Sequence, residues 1–183
     1  MKELSLNILD IAKNSVKAGA ADIWITLTET ADTLTISIRD NGCGMTEDFL
    51  RAVTDPFTTT RTTRKVGLGI PLFKLASEQT GGAFSITSRS AEEYPDDHGT
   101  ETKASFYKNH LDFTPLGDVV STVVTLIQAD PNIHWVYRHE MPGHTVALDT
   151  DELKAVLGDV PLNIPEVIAW MSDYLKEQYA ENA

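Results

Sequence analysis

The chain reads as an α+β protein in which an antiparallel or mixed sheet is covered by helices on one face, and three observations predict that class. "DIWITLTE" and "LTISIRD" alternate apolar and polar residues at a period of two, as half-buried strands do. "IPLFKLASEQ" and "PEVIAWMSDYLKEQYA" carry apolar residues at helical spacing instead. Composition, with 42% hydrophobic and 23% charged residues over 183 positions, is that of an ordinary folded chain of one domain or one plus a small addition.

In chain order, a helix is expected over about 4–18 and a strand over about 22–29. Leu34, Ile36 and Ile38 alternate with Thr35, Ser37 and Arg39, so a second strand pairs with the first as a hairpin. A short helix follows near 46–53, and a longer one begins at Ile70 and is closed by Gly81 and Gly82. "AFSITSRS" and "TETKASFY" read as two more strands flanking the polar "AEEYPDDHG". From Asp112 the character changes: a helix over "DVVSTVVTLIQ", a hairpin around "PGH", then helices over "TDELKAVLG" and the closing segment. Residues 1–110 are therefore expected to form the main domain, and residues 111–183 a small acidic α/β extension of unassigned role. Its aromatic residues Trp135, Tyr137, Trp170 and Tyr174 read as the core of that extension, with partner recognition as the alternative.

The net charge is −12, of which residues 1–110 carry −3 and residues 111–183 carry −9. Phosphate neutralisation needs a basic face, so duplex nucleic acid and anionic membranes are not expected as partners. No stretch approaches the roughly 18 consecutive apolar residues of a membrane span, and the N-terminus lacks the features of a signal peptide, so a cytoplasmic location is expected. Cys43, the one cysteine, permits no disulfide within the chain. It reads as a small buried filler.

Three stretches carry the chemistry. Asp10, Asn14 and Lys17 stand at i, i+4 and i+7 of the first helix and share one face, opposite Ile8, Ile11, Ala12 and Ser15. A carboxylate, an amide oxygen and an ammonium there suit a water, a hydrated Mg2+ and phosphate oxygens; the alternative is an ordinary solvated face. "DNGCGM" places Asp40 just past a strand with Gly42 and Gly44 behind it. Asn-Gly is also a common hairpin turn, but the second glycine lets a flat ligand or another backbone come close. "FTTTRTTRKVGLG", residues 57–69, runs from threonines and bases into the start of a helix. Backbone amides and the helix dipole attract an anion there, and Arg61, Arg64 and Lys65 supply charge; a solvated loop is the alternative. "HEMPGH" interposes a proline and a glycine between His139 and His144, which cannot then form a one-helix zinc pair and read as surface residues beside a turn.

Together these motifs resemble the ATP-binding domain of the GHKL superfamily, which joins DNA gyrase, heat-shock chaperones, histidine kinases and the repair protein MutL. "LDIAKNSVKAGA" is similar to its N box, "DNGCGM" to the first glycine box, "DPFTTTR" to the F box, "VGLGIPLFK" to the second glycine box and "GTETKASF" to the terminal strand motif. The resemblance spans about residues 4–107 and implies a Bergerat α/β sandwich holding Mg2+ and ATP. By position it makes Asn14 the Mg2+ ligand, Asp40 the partner of the adenine amino group, Gly42 and Gly44 the shapers of the base pocket, and Thr100 their support. Thr59, Arg61, Lys65, Gly67, Leu68 and Gly69 fall in the segment that closes over the phosphates. Asp10 falls where gyrase-like and MutL-like ATPases keep a glutamate as general base, and Lys17 where histidine kinases keep a phosphate-contacting lysine. Lys65 and Val66 depart from the usual first step of the second glycine box.

Only about ten residues precede the N box in this sequence, so the paired helices that carry a histidine kinase's phosphoacceptor are not expected, and a kinase of this layout is expected to find its acceptor on another chain. The layout is similar to stand-alone anti-sigma-factor serine kinases. Three functions remain open at this point: a kinase acting in trans on a partner protein, an ATPase whose closure drives homodimerisation, and a binding module that changes partner affinity with nucleotide.

Overall fold

The computed structural model describes residues 3–54 and 67–181. In chain order its elements are α1 (Leu4–Lys17), β1 (Asp22–Glu29), β2 (Thr33–Asp40), α2 (Glu47–Thr54), α3 (Gly69–Gln79), β3 (Phe84–Arg89), β4 (Gly99–Tyr107), α4 (Val119–Ala129), β5 (His134–Met141), β6 (His144–Asp149), α5 (Thr150–Leu157) and α6 (Pro165–Ala180).

The strands form one six-stranded sheet in the order β3-β4-β2-β1-β5-β6. Alternation does the sorting. Ile23, Ile25 and Leu27 of β1, Leu34, Ile36 and Ile38 of β2, and Ala104 and Phe106 of β4 are buried, while Thr35, Ser37 and Arg39 point the other way. The β1–β2 hairpin pairs Ile25 with Ile38 and Leu27 with Ile36, so one face becomes a continuous apolar layer. The arrangement is the Bergerat α/β sandwich, a mixed sheet carrying its helices against that layer.

On α1, Leu4, Ile8, Ile11, Ala12 and Ser15 fall on one stripe, and all are buried. Its first amides are met by the returning chain: Leu4 N–H donates to the carbonyl of Pro115 at 2.9 Å and Ser5 N–H to that of Leu116 at 2.8 Å. These bonds satisfy two of the donors that a helix start leaves open. Phe73 of α3 packs edge-on to Phe84 and tilted against Phe106, which fixes α3 over β3 and β4. Gly81, with φ of +77°, closes α3, and its neighbour Gly82 donates to Ser77.

Residues from Asp112 onward build into the same sheet and the same core. β5 lies parallel to β1, pairing Ile25 with Tyr137, and Trp135 and Tyr137 are buried beside the β1 residues. Trp170 and Tyr174, by contrast, stack on each other at 4.8 Å on an exposed part of α6, so the four aromatics divide between core and surface. Gln178 of α6 presents its side-chain amide to the edge strand β6, accepting from Ala147 N–H at 3.0 Å and donating to Ala147 C=O at 2.9 Å.

His139 corrects the sequence reading: it is buried, not on the surface. It lies on the inward register of β5, opposite Leu27, and its Nδ1 meets the Tyr179 hydroxyl at 2.6 Å. Burial holds its pKa below the ordinary value despite the nearby Glu29 carboxylate. His134 has the opposite fate. Nδ1 meets Asp22 at 2.7 Å and Nε2 meets Asp149 at 2.9 Å, with Asp151 3.7 Å away. Burial pulls its pKa down, but the carboxylates outweigh it and the net shift is upward.

His134 therefore stabilises the fold while protonated. That contribution is fully present below its unfolded pKa of 6.5 and is lost as pH rises through the raised folded value. The stability difference between wild type and His134→Gln, measured by urea unfolding, is expected to be larger near about pH 5.5 than near about pH 8.5. A difference that grows with pH would overturn this assignment.

Candidate functional site

Separate stretches of backbone converge at the ends of β2 and β4, and glycine stands wherever they meet. Asp40, the last residue of β2, lies opposite Thr100 of β4. A Cβ at Gly42 would sit 2.7 Å from the Ala18 Cβ at the end of α1. Gly44 has φ of +67°, and a Cβ there would fall 1.9 Å from the Arg89 carbonyl oxygen. At Gly99 it would fall 2.0 Å from the Asp40 carbonyl oxygen. The turn is stitched on both sides, because Cys43 N–H donates to Ala18 C=O at 2.9 Å and its own C=O accepts from Ala91 N–H at 2.8 Å. The Cys43 side chain is exposed rather than a buried filler, since the backbone alone fills the gap.

Asp40 is only 7% exposed. A carboxylate so placed must be met by donors. Ser15 Oγ donates to it at 2.6 Å and Gly42 N–H at 2.9 Å, which fixes the carboxylate and leaves lone pairs free for an amino group. Thr100 Oγ1 lies 2.8 Å from Ser88 Oγ, which also accepts from Met45 N–H at 2.8 Å. His98 Nδ1 meets the Gly42 carbonyl from the far side. A cavity of about 520 Å3 opens here, with Asp40, Ser88, His98, Gly99 and Thr100 in its wall.

Asp10 and Asn14 are half-buried on α1 and Lys17 is exposed, one turn after another along the helix. Gly69, the first residue of α3, is buried against this stripe: a Cβ there would come within 3.3 Å of the Asp10 Cβ. The amino end of α3, with its open amides and positive dipole, thus faces the region beside Asp10. Leu68 and Gly67 are exposed just before it. Asp10 precedes Ser15 by a helical span of roughly 7.5 Å. One end of α1 therefore serves a buried carboxylate suited to a base, and a stretch further toward its start offers Asp10, Asn14 and a helix terminus suited to phosphates.

The structure brings Gly69 against Asp10, with Asn14 one turn further along α1, and gathers Asp40, Gly42, Gly44 and Thr100 at the ends of β2 and β4; Asp10, Asn14 and Gly69 do not line the cavity there. Thr59, Arg61 and Lys65 lie outside the described residues. Sequence reading missed Ser15, Ser88 and His98. Ser15 stands on the apolar stripe of α1, and its bond to Asp40 joins residues 25 positions apart, so no local pattern announces it. Asn41 carries the turn itself: its Oδ1 accepts from the amides of Ala21 and Asp22 at 2.9 Å each, and its Nδ2 donates to Asp22 at 2.6 Å. Asn-Gly at a strand end is the signal that could have found it.

Residues 2–114 match the family described as histidine kinase-, DNA gyrase B-, and HSP90-like ATPase. The chain is 31% identical over 86 residues to the tetrathionate sensor histidine kinase TtrS of Salmonella typhimurium, covering 47% of this chain and 14% of that protein. It is 35% identical over 85 residues to sporulation kinase E of Bacillus subtilis, covering 44% of this chain and 11% of that one. It thus spans only a small part of the kinases it matches. Among solved structures, the Aquifex aeolicus MutL ATPase domain complexed with ADP superposes with a TM-score of 0.56 at 14% identity, over 86% of this chain and 69% of that one. That similarity covers more of the chain than the family match does.

Gly44→Ala is expected to lower stability by about 1–3 kcal/mol, because it forces an alanine into left-handed backbone facing a carbonyl oxygen. Denaturant unfolding reads the loss. Wild-type stability in the variant would show that the turn is free to move away from Arg89.

Proposed function

The chain belongs to the histidine kinase-, DNA gyrase B-, and HSP90-like ATPase family of ATP-binding domains, and from that premise we propose that it is a cytoplasmic Mg2+-ATP-dependent signalling kinase that phosphorylates a partner protein in trans. The observation that carries the nucleotide part is the buried Asp40 carboxylate, held by Ser15 and the Gly42 amide beside Thr100. It presents fixed acceptors to an exocyclic amine beside a cavity walled by Asp40, Ser88, Gly99 and Thr100.

The residues present fit Mg2+ as it is held with nucleotides, where one or two protein oxygens supplement phosphates and water. Asn14, half-buried and without a side-chain hydrogen bond among the described residues, would hold it. When bound, the ion would neutralise charge on the phosphates during transfer. Gly67, Leu68 and Gly69 would meet phosphates with backbone amides at the start of α3. Lys17, Thr59, Arg61 and Lys65 would add cationic and hydroxyl donors. Phosphoryl transfer rests on the similarity to histidine kinases over the nucleotide-binding segment.

A second reading follows from Asp10. Its carboxylate lies beside the amino end of α3, where it could orient a water, and that placement suits an ATPase whose closure drives homodimerisation.

Two measurements test these readings. Asn14→Ala and Asp40→Asn are expected each to weaken Mg2+-ATP binding at least about tenfold in calorimetric titration, with unfolding midpoints close to wild type; unchanged binding would remove the site. With γ-labelled ATP and cell lysate, the kinase reading expects label on a protein. Free phosphate that disappears in Asp10→Ala would establish the ATPase instead.

A further inference from the structure

A second concave surface lies apart from the nucleotide site, along the edge where β6, α5 and α6 meet. It encloses about 750 Å3. Its floor is apolar: Leu148, Leu153 and Val167 are buried there. Its walls are apolar too, yet open to water, with Val156 85% exposed, Trp170 48% and Tyr174 38%. Trp170 and Tyr174 lie one helical turn apart and stack with ring planes 11° from parallel, which presents a flat aromatic wall. Scattered exposed apolar residues are ordinary, but a contiguous set lining a groove marks a site that another molecule covers.

Charge selects the occupant. Glu152 and Glu166 line the groove and make no ion pair among the described residues. Asp149 also lines it and is engaged by His134, while the one cation in the lining, Arg138, is bound to Glu140 at 2.6 Å. The acidity is general: residues 111–183 hold 12 Asp and Glu against 3 Lys and Arg, a net −9. A second copy of the chain would bring the same negative field to this face and be repelled by it.

We propose that this groove docks a basic amphipathic segment of a partner protein, which seats aliphatic or aromatic side chains against Leu148, Leu153 and Trp170 while its Lys and Arg residues meet Glu152 and Glu166. Apolar anchoring in a groove with a charged rim is a recurring mode of helix recognition, in which anchors recur at i, i+3 or i+4, and i+7. The anchors supply affinity and the rim charges select the partner by sign. The site needs no nucleotide, so its failure is distinguishable from failure of the kinase reading.

The probes are two fluorescein-labelled amphipathic helical peptides of equal length, with the same leucine positions and with lysine or glutamate on the polar face. In fluorescence anisotropy without nucleotide, the lysine peptide is expected to bind saturably at micromolar order and the glutamate peptide at least about tenfold more weakly. Val156→Asp alters an exposed position and is expected to fold normally; it and Glu152→Lys/Glu166→Lys should each weaken the lysine peptide by about tenfold or more. Glu92→Lys/Glu93→Lys, acidic residues outside the groove, should leave it unchanged. Equal binding of both peptides, no binding of either, or losses as large in the Glu92/Glu93 variant would overturn the proposal. So would a dimer of wild type that Val156→Asp dissolves, since the groove would then belong to a second copy.

Discussion

The structure depends on a packing constraint at the strand ends: there is no room for a Cβ where the Asp40–Met45 turn passes α1 on one side and the β3–β4 connection on the other. Gly42, Gly44 and Gly99 each approach another part of the chain closer than a side chain permits. Because these glycines answer to three neighbours, the turn cannot shift relative to α1 without clashing with β3 or β4. That rigidity places the Asp40 carboxylate in register with Thr100 and within reach of Ser15.

A second, electrostatic tie carries this order across to the C-terminal elements. Asn41 binds Asp22, Asp22 binds one nitrogen of His134, and the other nitrogen binds Asp149. The chain of contacts runs from the residue beside Asp40 to the wall of the groove at β6, through the first residues of β1 and β5. The parallel β1–β5 pairing beneath it and the capping of α1 by Pro115 and Leu116 make the C-terminal segment part of the scaffold that fixes α1. The helix bearing Asp10, Asn14 and Ser15 therefore has its N-terminal end held by residues more than a hundred positions away.

What was legible in the sequence was local. The period of β1 and β2, the apolar stripe of α1 and the glycines closing α3 are written within a few residues of where they act, and each element formed where expected. Asp40 and its glycines were also legible, because a carboxylate at a strand end followed by two glycines implies close approach. Ser15, His98 and His139 were not, since their partners lie on other elements. His139 in particular sits near a turn, which reads as surface, and only the pairing of β5 with β1 turns it inward. Cys43 misled for the converse reason: a small residue between glycines suggests burial, but here main chain occupies the space.

Gln178 has a consequence for how this molecule meets others. By offering an amide as donor and acceptor to Ala147, it gives that residue of the β6 edge what a seventh strand would give, and so obstructs a foreign strand from pairing there. This is a safeguard against edge-to-edge aggregation, and it leaves β3 as the other edge of the sheet among the described residues.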